Sequence, residues 1–364
     1  MAASGAAAPA PAETAAPPTP VETAAPPAPI DAEPSALPAP AASARPEPTA
    51  AALAPAAATA PAQPTPHTPV GAPAPATPAL LFVGAVLAVA AVVGVAQWLL
   101  ATPSVQDFVE RYPGEYHLPE GAPVGFPAWL AWQHFFNVFL MVLIIRSGLQ
   151  VRTERKPAAY WSPRWNPQRK ISLSLWFHQS LDLLWLVNGV VYVVLLFASG
   201  QWMRIVPTSW EVFPNALSAA LQYASLDWPT ENGWVNYNGL QQLAYFATVF
   251  VAAPLAVVTG VRMSGLWPAK AKTLSRIYPV EVARALHFPV MLYFVLFLIV
   301  HVTLVLATGA LRNLNHMFGG QDAVNWVGFG IFVLSLVVIA AGWIAARPLV
   351  LAPIAGRFGR VSNR

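Results

Sequence analysis

Seven histidines occur in this chain, and four of them, His134, His178, His287 and His301, fall inside long apolar runs. An ionisable side chain is costly in hydrocarbon and normally marks a buried partner or a site. Imidazole can serve there as a hydrogen-bonded packing residue, a proton carrier or a metal ligand. A single embedded histidine is most simply a packing residue; four, spread over three runs, are harder to dismiss that way. His287 and His301 share one run and stand 14 residues apart. On an α-helix that is about 21 Å of rise and nearly four whole turns, so both rings leave from one face. The other three are His67 near the N-terminus and His117 and His316 between runs, where a solvated or structural role is the default. There is no cysteine, which excludes disulfides, thiolate metal sites, iron–sulfur clusters and covalently attached c-type haem.

The elements that must position these rings are legible from composition. Hydrophobic residues make up 56% of the 364 and charged ones only 10%, the balance of a polytopic membrane protein rather than a soluble domain. Runs long enough to span, about 20 residues, fall near 79–101, 128–149, 173–198, 238–261, 286–309 and 326–346. Continuous runs of this length satisfy their backbone in lipid only as helices. The expected fold is therefore all-α and integral to the membrane, with six transmembrane helices. Residues 1–78 are rich in Ala and Pro, with Arg45 as the one basic residue; such a segment cannot bury enough apolar surface to offset its ordering entropy and reads as a disordered tail. It lacks the basic start of a signal peptide, so the run near 79 is read as an uncleaved anchor.

Loop charge sets an orientation. Basic residues crowd 149–172 (Arg152, Arg155, Lys156, Arg164, Arg169, Lys170), 262–285 (Arg262, Lys270, Lys272, Arg276, Arg284) and the C-terminal tail. The alternate loops, 102–127 and 199–237, are acidic. Lys and Arg beside membrane spans stay in the cytoplasm, which places both termini there and the chain in the plasma membrane as a multi-pass protein. This pattern explains the net charge of +4 without invoking nucleic acid.

Depth then sorts the histidines. The second helix runs inward, so His134 lies in the outer part of the membrane. The third and fifth run outward, which puts His178 and His287 in the inner part and His301 in the outer part. The outer pair is His134 with His301 and the inner pair His178 with His287. Two imidazoles facing each other from different helices are what axial ligation of haem iron needs, and bundle cores are where such groups sit. Two stacked haems, sharing the fifth helix as a wall, are the expectation.

Gly148, Gly189, Gly260 and Gly309 lie in or at the ends of these helices, where small residues let a flat macrocycle or another helix approach. Arg284, one turn before His287, is placed to pair with inner haem propionates, as are Arg146 and Lys170; Arg312 and Arg204 could serve the outer haem. Ordinary interfacial anchoring is an equal reading for each. Asp182, at i+4 from His178, shares its helix face. It could orient a ligand histidine, relay protons to a quinone, or hold helices together uncharged.

The segments "WQHFFNVFLMVLIIRSGL", "SLWFHQSLDLLWLVNGVVYVVLLFASG", "LQQLAYFATVFVAAPLAVVTGVRMSG" and "ALHFPVMLYFVLFLIVHVTLVLATG" resemble the four-helix, di-haem cytochrome b subunits of nickel–iron hydrogenases, formate dehydrogenases (the gamma subunit) and thiosulfate reductases. The resemblance covers roughly 128–310, about half the chain. It implies that His134, His178, His287 and His301 ligate two haems b, and that the subunit passes electrons between a quinone or menaquinone pool and a catalytic partner carrying molybdopterin, nickel or iron–sulfur centres. Around that core stand additions: an extra helix and outside loop over 79–127, and a sixth helix with a basic tail over 311–364. By loop charge the core is inverted relative to the formate dehydrogenase arrangement; the outer haem is the expected port for an extracytoplasmic partner. The loop 199–237, with Trp202, Trp210, Trp228 and Trp234, reads as an interfacial helix or a docking surface. The expected function is an electron-transfer subunit. The rivals are a self-sufficient transmembrane haem reductase and a haem-free scaffold or permease.

Overall fold

The computed structural model describes residues 78–228, 232–268 and 270–363. The tail assigned to disorder lies outside these, apart from Pro78, which opens the first helix. Six described helices are long and apolar enough to cross a membrane: Pro78–Leu100, Ala128–Thr153, Leu173–Ala198, Gly239–Met263, Val280–Ala307 and Val327–Ala345.

In chain order, α1 (Pro78–Leu100) is followed by the short α2 (Pro103–Arg111) and by α3 (Ala128–Thr153). Strands β1 (Tyr160–Pro163) and β2 (Ile171–Ser172) lead into α4 (Leu173–Ala198). The start of α4 is fixed by Ser172, whose side chain accepts from the Leu175 N–H, satisfying a donor that a helix start leaves free. A 3₁₀ turn at Gln201–Arg204 and the amphipathic α5 (Val212–Ser225) occupy the Trp-bearing loop. The fourth span is α6 (Gly239–Phe246), a π turn (Ala247–Ala252) and α7 (Ala253–Met263) in one continuous helix. It opens on a reciprocal capping box between Asn238 and Gln241. After α8 (Lys272–Ile277) comes α9 (Val280–Ala307), then α10 (Ala310–Leu314), a second π turn (Asn315–Gly319), α11 (Val327–Ala345), α12 (Pro348–Phe358) and β3 (Gly359–Ser362).

Within the bundle α3 packs along α4, α7 along α9, and α11 against α3. Midway down, Met141, Ala252, Val290 and Phe294 form a buried cluster with Trp185 against it. By contrast, α1 packs against α5 and α2, and Leu80, Leu87, Val92 and Val95 along it are exposed, as a lipid-facing helix requires. The fifth span starts earlier than its apolar run. Its start is set by Pro279, which precedes α9, and by Glu281 in the first turn, where an acid suits the positive helix end.

One feature departs from the sequence expectation and a second decides between its two alternatives. The first is a three-stranded antiparallel sheet in order β2-β1-β3, with Tyr160 opposite both Ser172 and Ser362, in a chain read as wholly helical. Trp161 Nε1 donates to Ala355 O at 3.1 Å and Arg164 Nη2 to Arg357 O at 2.8 Å, which fastens α12 beside the start of α4. This pairing puts the C-terminal strand and the basic 149–172 loop on the same side of the membrane, in agreement with the four spans between them. The second is His316, expected between runs as solvated or structural. It is 4% exposed and structural, held in a cap of loops described below.

Candidate haem-binding site

The four embedded histidines meet in two pairs. His178 on α4 and His287 on α9 have ring centres 6.5 Å apart. His134 on α3 and His301 on the same α9 have centres 6.4 Å apart. Both pairs are those that depth alone suggested, and they sit near opposite ends of the shared helix.

At the basic-loop end, each ring is oriented by a hydroxyl from a neighbouring helix. Ser147 Oγ on α3 lies 2.9 Å from His178 Nδ1, and Thr259 Oγ1 on α7 lies 2.8 Å from His287 Nδ1. Each hydroxyl also donates to its own helix, Ser147 to Ile144 O and Thr259 to Leu255 O. A hydroxyl has one proton, so with that proton on the backbone carbonyl it accepts from the ring, Nδ1 carries hydrogen, and the Nε2 lone pair is left for a metal. The next residue is a glycine both times. A Cβ at Gly148 would stand 3.1 Å from His178 Cε1, and one at Gly260 would stand 3.7 Å from His287 Cε1. The space these glycines leave is taken by the imidazoles themselves. Sequence reasoning named the glycines and missed Ser147 and Thr259. The signal was present as a hydroxyl–glycine dipeptide repeated at the same end of two helices.

At the acidic-loop end the rings are held by other rings. His301 stacks on Phe297 with centres 5.5 Å apart and planes 6° from parallel, and Tyr245 packs on it edge-on at 6.0 Å. Phe318, from the second π turn, packs edge-on against His134 at 5.7 Å. Nδ1 of His134 is buried with no hydrogen-bond partner.

The remaining candidates are less tightly drawn in. Asp182 Oδ2 stands 3.7 Å from His178 Nε2, beyond hydrogen-bond range, and it is Ser147 that holds Nδ1. Arg284 is exposed and forms no ion pair among the described residues. Arg146 lies 5.0 Å over Trp343, and Lys170 lies 4.7 Å over Tyr160. Arg312 is taken up by Asp322 through two hydrogen bonds.

Above the His134–His301 pair lies a cap of loops. His316 stacks on Phe126 at 5.9 Å and its Nε2 is 2.8 Å from Asp322 Oδ1. Hydrogen bonds from Arg312, then His316, hold the Asp322 carboxyl well below the usual carboxylate range. Burial lowers the His316 ring below the ordinary histidine value, against the opposing pull of Asp322. A cleft of about 370 Å³ opens beside this cap, lined in part by Val124, Gln201 and Trp234.

The arrangement fits haem. Metal–imidazole bonds of about 2 Å on each side, with the ring radii added, put two axial ring centres roughly 6 Å apart, the separation both pairs have. A buried ring nitrogen without a partner, as at His134, suits a site completed by the group it binds. Among the described residues no cluster of three or more His, Asp or Glu gathers for a different kind of metal centre.

A six-span helical bundle with imidazoles paired across its helices has the architecture of a membrane-embedded cytochrome. The chain belongs to the prokaryotic cytochrome b561 family, whose model matches residues 125–320, and it is accordingly a multi-pass membrane haem b protein of the electron-transfer class. Over 194 residues it is 28% identical to the putative protein-methionine-sulfoxide reductase subunit YedZ1 of Azospira oryzae; that stretch is 49% of this chain and 88% of that protein. No solved structure matches the chain.

Proposed function

We propose that this chain is a di-haem cytochrome b that carries electrons across the membrane between a quinone pool and a partner oxidoreductase. The observation that carries the reading is the pair of imidazole pairs, at 6.5 and 6.4 Å, near the two ends of α9. Haem, when bound, supplies reversible one-electron iron chemistry. The chain's own work is to hold the rings: Ser147 and Thr259 fix the tautomer at one end, while Phe297, Tyr245 and Phe318 wedge the rings at the other.

The relative named as a reductase subunit supports a membrane subunit serving a catalytic partner rather than a self-contained reductase. The positive-inside rule supports placing the His134–His301 end, the Trp-bearing loop and the partner outside the cytoplasm, with both termini inside. We assign quinone exchange to the other end, where Asp182, the one carboxylate in the interior of a span, lies a turn from His178. Asp182→Asn should slow quinol oxidation and leave haem content unchanged.

A pyridine haemochrome assay on the purified full chain should return about two haems per polypeptide, as four axial ligands require. Saturation at one, or none, overturns the reading. For orientation, Gln168→Cys and Glu120→Cys place single thiols at exposed sites in a chain without cysteine. An impermeant thiol reagent on intact cells should label position 120 and spare 168; the reverse moves the partner to the other side.

A further inference from the structure

Arg204 ends the 3₁₀ turn after α4 and is 1% exposed. Its Nη1 donates to Gly125 O at 2.9 Å and its Nη2 donates to Gly233 O. The guanidinium lies against two rings, Phe126 at 4.7 Å and Tyr237 at 4.6 Å. Nε is buried with no partner. No carboxylate pairs with Arg204 among the described residues, and Asp322 of the same cap is bound to Arg312 and His316. A guanidinium keeps its charge in a protein, so among the described residues this is a buried cation held by carbonyls and ring faces rather than by a carboxylate, a costly arrangement. Tying the two loops together does not need the charge: the Gly125 N–H already donates to Trp234 O at 2.8 Å, and Gln201 donates to the Gly125 carbonyl at 3.1 Å.

The charge sits at one end of two short aromatic paths to the His134–His301 pair. Tyr237 packs on Tyr245 at 5.1 Å, and Tyr245 on His301 at 6.0 Å. Phe126 stacks on His316, whose π turn also carries Phe318 against His134. Taking up one electron lowers the net charge at an iron centre by one. A fixed cation nearby in a low-dielectric, water-poor setting therefore favours the reduced state. At the other end Arg284 and Arg155 are exposed and screened by solvent, and the half-buried Arg146 is turned onto Trp343.

We infer that Arg204 is a positioning charge that raises the midpoint potential of the haem held by His134 and His301, drawing electrons toward the acidic-loop end. The inference rests on the di-haem reading. Transfer between the two sites moves one electron, from the reduced haem at the other pair, and makes or breaks no bond.

The test is a potentiometric titration of the purified full chain, followed in the haem absorbance bands, with the component lost in His301→Ala taken as the affected one. In Arg204→Gln that component should shift to lower potential while the other stays in place, and Arg204→Lys should remain close to the parent. Gln201→Glu keeps the arginine and sets a carboxylate beside it, so it should shift the same component in the same direction. It decides the matter if Arg204→Gln does not retain haem. Unmoved potentials overturn the inference, as does an equal shift in Arg204→Lys and Arg204→Gln, which would mark a structural clamp. A parent with fewer than two haems sinks the di-haem reading together with this inference; two haems with unmoved potentials sink the inference alone.

Discussion

The two imidazole pairs share a helix, a ring separation and an apolar setting, yet they are held in different ways. At His178 and His287 the hold is directional: one hydroxyl per ring, each with its own proton committed to a carbonyl. At His134 and His301 it is steric, supplied by Phe297, Tyr245 and Phe318. A hydrogen bond fixes which nitrogen is free, whereas aromatic packing fixes where the ring lies and leaves the protonation of His134 to whatever binds it. On the di-haem reading, the first pair would be set before haem arrives and the second completed by it.

The strongest way to break the comparison is to remove ligands. His178→Ala or His287→Ala should abolish one spectral component entirely, and His134→Ala or His301→Ala the other. Loss of the same component from His134→Ala and His178→Ala would show the pairing to be wrong. Next in size, Ser147→Ala and Thr259→Val should each cost about 10–100-fold in haem affinity at the basic-loop end, the usual penalty for losing a ligand's orienting partner. Transfer of haem to an excess of a scavenging protein reads this, and the acidic-loop component should leave at its parent rate. Smaller still, Gly148→Ala should destabilise the same site by roughly 1 kcal/mol, since its Cβ would press on the His178 ring. Gly260→Ala, with ordinary contact distance to His287, should retain haem as the parent does.

The smallest effect separates the cap from the pairs by pH. His316 has its folded value lowered, so the unfolded chain binds more protons below about pH 6.5 and stability falls as the solution is acidified through that range. Asp322, held low in the fold, contributes stability that is present above the unfolded carboxylate value and is lost only in much stronger acid. The protection of amides in 310–326, referred to the intrinsic exchange rate at each pH, should fall on mild acidification. His316→Gln should flatten that response; an unaltered response would move its origin elsewhere.

The spans were legible because lipid forces a length and a hydropathy on them, and the pairs because depth in a helix is a matter of counting. What stayed hidden has a common physical character. Ser147 and Thr259 are ordinary helix residues until a neighbouring helix brings a ring to them. The burial of His316 depends on Phe126 and Trp234, which lie far away in sequence. The sheet joins 160–163 to 359–362, and no local periodicity announces a pairing across that separation.

That last pairing also dictates an order of events during synthesis. The partner strand β3 is made only after all six spans, and β1 leads through β2 into the capped start of α4, which carries His178. Until β3 has been made, the segment before α4 lacks that clasp. On the di-haem reading, a cell that loads haem while the chain is still being threaded into the membrane would meet the His134–His301 and His178–His287 pairs at different stages of readiness, and a bulky domain fused after β3 would obstruct the later one.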